Sequence, residues 1–169
     1  MRLFSAFIPP AEVVDSLRAE LDRLGAGQGD EVRWTAPDSW HVTLGYYGEQ
    51  EDASGLVHLL SERLAGHESP SLRLDGAGIF PGVLLLNLEG EGLNEVAALA
   101  GAGSDGREYA PHLTLGRWPR ERREVAEPWL QRLAGYRGEA WEASQAVLMR
   151  TDAGPGGRRY QVIETFPLG

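Results

Sequence analysis

The chain contains no cysteine, which excludes disulfides, thiolate zinc sites and a cysteine nucleophile. It also contains no lysine. Its 16 basic residues are all arginine, a composition that suits bidentate phosphate recognition but that a high-GC codon bias would produce equally well. No apolar run approaches the length of a bilayer span. The opening Met1-Arg2-Leu3-Phe4-Ser5 lacks the apolar segment of a signal peptide, so a soluble, cytoplasmic protein is expected. Positive charge is scarce: 25 acidic residues against 16 basic ones leave a net charge of −9 and a pI near 4.9. Long contacts with a nucleic-acid backbone need clustered cations, so an RNA partner would be held by a terminus or as a short oligomer.

What is present is enough apolar residue, 42% of 169, to bury a core. The chain reads as a single domain over residues 1–169, built as two tightly joined lobes, and as a monomer. Arg2 to Ile8 reads as a strand. Pro9-Pro10 then opens a helix with Val13, Val14, Leu17, Leu21 and Leu24 at helical spacing, stopped by Gly25-Ala26-Gly27. A strand from Trp40 to Tyr47 follows. A second helix from Ala53 to Leu64 sets Leu56, Leu59, Leu60 and Leu64 along one side. Further strands are expected at Ser71 to Leu74 and Val83 to Leu88, then a short helix carrying Leu93, Val96, Leu99 and Ala100. A glycine-rich connector through Gly101, Gly103 and Gly106 leads to Tyr109-Ala110-Pro111-His112, where proline favours an extended approach to another strand. The tail offers a helix from Glu127 to Leu133 and strands from Ala140 to Met149 and Arg159 to Phe166.

One repeat stands out. His41-Val42-Thr43-Leu44-Gly45 returns as His112-Leu113-Thr114-Leu115-Gly116, 71 positions later. In a strand, residues two apart share a face, so each copy presents an imidazole beside a hydroxyl and anchors them with aliphatic residues behind. The glycine next in line leaves room for a ligand. Two such strands side by side would surround a small anion with two imidazoles of near-neutral pKa and two hydroxyl donors. Opening a cyclic phosphodiester needs a base to take a proton from water and an acid to protonate the departing oxygen. Two histidines in opposite protonation states supply both, and the threonines can donate to the nonbridging oxygens.

Paired His-x-Thr-x motifs on symmetric lobes resemble those of the two-histidine (2H) phosphoesterase superfamily, in particular its RNA 2′,3′-cyclic phosphodiesterase, or 2′-5′ RNA ligase, branch. The resemblance extends to Arg2-Leu3-Phe4-Ser5-Ala6-Phe7-Ile8-Pro9, to His41 through Glu49, to Phe80-Pro81 and to Pro111 through Arg117. It implies an α+β fold of two pseudo-symmetric lobes, each an antiparallel sheet backed by helices, with the two motifs facing one another across a central groove. It further implies hydrolysis of RNA-terminal 2′,3′-cyclic phosphates to 2′-phosphates, with 2′-5′ ligation or cleavage as a second activity and no metal or nucleotide cofactor. His112 would be the base, His41 the acid, and Arg117 a phosphate contact with Thr43 and Thr114.

Strict alternation sets Arg117 on the face of Leu113 and Leu115, so its role requires a break or bulge near Gly116. The chain departs from the family at Tyr46-Tyr47-Gly48, where Phe-Leu-Gly is usual, and at Gly82 to Asn87, which lacks the usual Arg and Trp. Tyr47, on the face of His41 by alternation, Trp34 and Trp118 are candidates for stacking on a base, with Phe4 and Arg150 behind them. His58 and His67 read as solvated surface, and no pair of histidines has the close spacing of a zinc helix, so no metal is expected. Two other readings stay open: a 2H enzyme acting on a 2′-5′ oligonucleotide or an ADP-ribose cyclic phosphate, and a module that binds an RNA end or nucleotide without turnover.

Overall fold

The computed structural model describes residues 1–154 and 157–169. The chain runs through β1 (Arg2–Phe7), α1 (Ala11–Arg23), β2 (Arg33–Trp34), β3 (Val42–Glu49), α2 (Ser54–Leu64), β4 (Ser71–Phe80) and β5 (Val83–Glu91). It continues through α3 (Leu93–Leu99), β6 (His112–Arg117), α4 (Glu127–Leu133), β7 (Trp141–Glu142), β8 (Gln145–Gly154) and β9 (Gly157–Pro167). Helix α1 starts after the rigid Pro10, whose carbonyl accepts from the N–H of Val13 and Val14. It ends where Gly25 takes a φ of 82° and Ala26 donates back to Leu21. Val13, Leu17 and Leu21 are its buried stripe.

All strand pairs are antiparallel, and the sheet runs β7-β4-β5-β6-β3-β1-β8-β9, with β2 added on β6. The sheet curls into a half-barrel. One half holds β1, β3, β8 and β9, the other β4 to β7, and they meet where β3 and β6 pair only through Val42 and Leu113. The two-lobed α+β arrangement expected from the repeat is therefore present, and the first residue after each histidine lies on its pseudo-twofold axis. Helix α4 packs on β4, α2 on β9 and α3, and α3 on β3 and β5. Together with the sheet they bury one large cluster that includes Leu17, Leu44, Leu86, Leu115 and Trp129. Burying such a side chain contributes roughly 1.5–3 kcal/mol. Phe4, Ala6, Val147 and Met149 form a second, small cluster on the opposite face of the sheet.

Several expectations are corrected. The tail strand anticipated from Ala140 to Met149 is two strands: β7 pairs β4, whereas β8 pairs β1 in the other half, so the chain crosses the molecule at Ala143-Ser144. Leu59, expected on the buried side of α2, is exposed, because the helix buries Leu60 and Leu64. Strand β4 extends to Phe80, well beyond Leu74, and the two-residue β2 carried no periodic signal at all. No helix among the described residues is long and apolar enough to cross a membrane.

Candidate active site

His41, Thr43, His112 and Thr114 line one groove of about 710 Å³, a size that accommodates a nucleotide. The geometry follows from the seam. Carrying the antiparallel Val42–Leu113 pair one residue in each direction sets His41 opposite Thr114 and His112 opposite Thr43. The aliphatic residues between them, Val42 and Leu113, are fully buried on the other face.

The two rings are held alike. His41 Nδ1 lies 2.8 Å from the carbonyl oxygen of Ser39, and His112 Nδ1 lies 2.8 Å from that of Ala110. A carbonyl only accepts, so each Nδ1 carries the proton it donates, and each Nε2 is left for chemistry. A neutral ring then offers Nε2 as a base, and a charged ring offers Nε2–H as an acid. Aromatic rings brace both histidines: Phe4 and Tyr160 each stand 5.0 Å from His41 between centroids, and Phe80 stands 5.1 Å from His112.

The bracing is unequal, and so is the electrostatics. Packing between Phe4 and Tyr160 withholds water from His41 and pushes its pKa down, against the hydrogen bond to Ser39; His112 adds a smaller repulsion in the same downward direction. Its neutral form is favoured in the empty groove. A proton-detected titration of the imidazoles should therefore place His41 below the ordinary value of about 6.5. His112→Gln should raise it only partly, because burial is the larger cause; full recovery would contradict that ordering. The unfolded chain binds this proton at a higher pH than the folded one, so stability rises with pH between the two values and is lost on acidification through them.

Both motif strands bulge directly after the threonine. In β6 the register against β5 jumps between Leu85↔Thr114 and Leu84↔Gly116, and in β3 the register against β1 jumps between Ala6↔Thr43 and Ser5↔Gly45. Each bulge reverses the alternation beyond it. Arg117 is thereby brought onto the face of His112 and Thr114, and it lines the groove. The glycines make the bulges feasible: a Cβ on Gly45 would strike the carbonyl oxygen of Ala100, and one on Gly116 would come within 2.7 Å of Val32 and 2.9 Å of the Arg33 carbonyl. The expectation that they leave room for a ligand is corrected, since backbone from elsewhere in the fold takes the space.

This two-lobed fold with mirrored His-x-Thr strands is matched by a family model, described as the 2′-5′ RNA ligase superfamily, over residues 9–155. The chain belongs to the 2′-5′ RNA ligase superfamily. The RNA 2′,3′-cyclic phosphodiesterase of Thermus thermophilus is 30% identical, over 99% of this chain and 90% of the relative. The protein of the same description from Methanothermobacter thermautotrophicus is 27% identical, over 82% and 83%. Among solved structures, TT0787 of Thermus thermophilus superimposes with a TM-score of 0.77 at 27% identity, covering 99% of this chain and 98% of that one.

Seen within this superfamily's fold, the stacking candidates separate. Tyr47 is corrected: the β3 bulge turns it away from the groove, its hydroxyl donates to the Ala100 carbonyl at 2.7 Å, and Ser5 Oγ lies 2.7 Å from it. Because the tyrosine proton is committed to Ala100, Ser5 donates to Tyr47 and accepts from the bulge N–H of Gly45 at 3.1 Å. Tyr47 is thus part of the frame that fixes the bulge, and burial raises its pKa. Tyr46 takes the groove position instead, 62% exposed, at the place in the first motif that Arg117 holds in the second. Trp118 is also corrected, being 5% exposed and packed in the core. Trp34 does line the groove, with its indole N–H on Asp30 at 2.9 Å and its ring edge-on to Trp129.

Phe4 lines the groove too, whereas Arg150 is occupied by Asp152 and Gln161. His58 pairs with Glu62 on the exposed side of α2, and His67 lies outside the groove, bonded to the Glu68 carbonyl. Sequence reasoning missed Arg33, Arg158 and Tyr160, which reach the groove from β2 and β9. Tyr109, from the loop before the second motif, donates to the carbonyl of Thr43 at 2.7 Å and so ties the two motifs together.

Proposed function

We propose that this chain opens 2′,3′-cyclic phosphates at RNA termini to 2′-phosphates, using His41 and His112 as an acid–base pair without a metal. The observation that carries this reading is the mirrored pair of Nε2 atoms left free in one groove beside two threonines, in a chain whose relatives are described as RNA 2′,3′-cyclic phosphodiesterases.

Neutral His112 takes a proton from water at Nε2 as the water oxygen bonds to phosphorus. The P–O3′ bond breaks, and His41 Nε2–H gives its proton to the departing 3′ oxygen. The products are a 2′-phosphate and a 3′-hydroxyl. Thr43 and Thr114 donate to the nonbridging oxygens, and Arg117 adds a fixed positive charge where negative charge builds up. The depressed pKa of His41 couples protonation to binding: the phosphodiester anion stabilises the imidazolium that the empty groove disfavours.

A 5′-hydroxyl in place of water gives a 2′-5′ linkage with the same acid and base. Cleavage of that linkage by the 3′-hydroxyl runs the steps backwards and exchanges the two roles. The substrate is tested by comparing kcat/KM for an RNA ending in a 2′,3′-cyclic phosphate, a 2′-5′ oligonucleotide and ADP-ribose cyclic phosphate. The RNA end should lead by at least tenfold; a lead by either of the others would reassign the substrate, and binding without product would make the groove a receptor.

A further inference from the structure

Arg33 stands directly opposite Arg117 across the β2–β6 pair, and both line the groove. Directly paired residues on neighbouring strands project to the same side, where like charges repel. Among the described residues, neither guanidinium has a carboxylate partner and no carboxylate lines the groove, although the chain carries a net charge of −9. The acids next to Arg33 in sequence are committed elsewhere. Asp30 accepts from the N–H groups of Gly27 and Val32 and from the Trp34 indole, while Glu31 pairs with Arg122. Two uncompensated cations fixed face to face mark a place for an anion between them.

That anion is not the one at the histidines. Arg117 lies three residues beyond Thr114 with a bulge between, so at about 3.3 Å per residue the arginine pair sits some 7–10 Å along the strand. This is the order of the separation between adjoining phosphates of a nucleic-acid strand. We infer that Arg33 and Arg117 form a subsite for the phosphate on the 5′ side of the terminal nucleotide, so that the groove holds the RNA end by two consecutive phosphates. This deepens the proposed function, since the histidines would then act on a terminus recognised partly through its upstream linkage. It also accounts for RNA recognition by an acidic protein: local cations replace a broad basic surface.

The test is direct binding of two probes, 2′-AMP and adenosine 2′,5′-bisphosphate, whose 5′-phosphate occupies the upstream position. The protein should bind the bisphosphate roughly tenfold more tightly. Arg33→Gln should abolish that preference while changing 2′-AMP affinity less than twofold. Arg158→Gln, which removes a groove cation from the opposite lobe, should leave the preference in place. Equal affinity for the two probes, or loss of the preference with Arg158→Gln but not with Arg33→Gln, would overturn the subsite. A preference that behaves as expected in a protein without cyclic phosphodiesterase turnover would leave the subsite standing and remove only the proposed reaction.

Discussion

Replacing His112 by alanine should lower kcat for 2′,3′-cyclic phosphate hydrolysis by about 10²–10⁴-fold, and replacing His41 should do the same, as expected for removal of a positioned general base or acid. The two losses should not multiply in the double variant, because acid and base act on one transition state. His41 is packed between Phe4 and Tyr160, so His41→Ala also opens a gap. His41→Phe fills that gap with a ring that carries no proton, and it should be equally inactive. His58→Ala provides the contrast: that side chain is 78% exposed, and its removal should leave activity within twofold. Steady-state rates on one cyclic substrate, with folding checked by circular dichroism, decide the matter. Near-normal turnover in His41→Phe or His112→Ala would dismantle the acid–base assignment.

The second large effect is on stability. Gly45→Ala should cost about 3 kcal/mol, the upper part of the usual range for overpacking. The new methyl meets the Ala100 carbonyl and the Tyr47 hydroxyl, which lies 2.9 Å from the Cβ position. Both atoms belong to the chain Gly45 N–H to Ser5 to Tyr47 to Ala100 that fixes the bulge, so relief by movement breaks hydrogen bonds. For a chain of this length that cost corresponds to a fall in Tm of about 6–12 °C. Activity should fall with it, because the bulge sets the direction of Thr43. Gly55 supplies the control: it sits within α2 with nothing inside 4 Å of its Cβ position, so Gly55→Ala should stabilise by roughly 0.5–1 kcal/mol. Thermal melts of the two variants that coincided would show that Gly45 is not tightly enclosed.

Much of this molecule could be read from its residues, for identifiable reasons. Helix α1 announces itself through proline at its entry, a regular apolar stripe and glycine at its exit, all local features. The repeated His-x-Thr-Leu-Gly pointed to a symmetric site because its period-two pattern sets imidazole and hydroxyl on one face of any strand. What escaped depended on contacts between distant segments. The bulges after Thr43 and Thr114 arise from pairing with β1 and β5, and they interchange the faces of Tyr46 and Tyr47. A bulge near Gly116 had been required for Arg117 to reach the groove; nothing local showed that β3 would bulge likewise. Arg33 sits on a strand of two residues, and Tyr160 reaches His41 only because β9 lies beyond β8 on the same curled sheet. The continuous apolar character of Ala140 to Met149 concealed the change of sheet edge at Ala143-Ser144, since both halves pack on the same core.

The central claim is that two histidines, unaided by a metal, direct the opening of a cyclic phosphate toward a 2′-phosphate. It is tested most directly by incubating the wild-type protein with an RNA oligonucleotide ending in a 2′,3′-cyclic phosphate, in excess EDTA, and determining which ribose oxygen keeps the phosphate. Formation of the 2′-phosphate at a rate unaffected by EDTA is the expected result. Formation of the 3′-phosphate would reverse the direction of opening, and turnover abolished by EDTA would contradict the two-histidine mechanism itself.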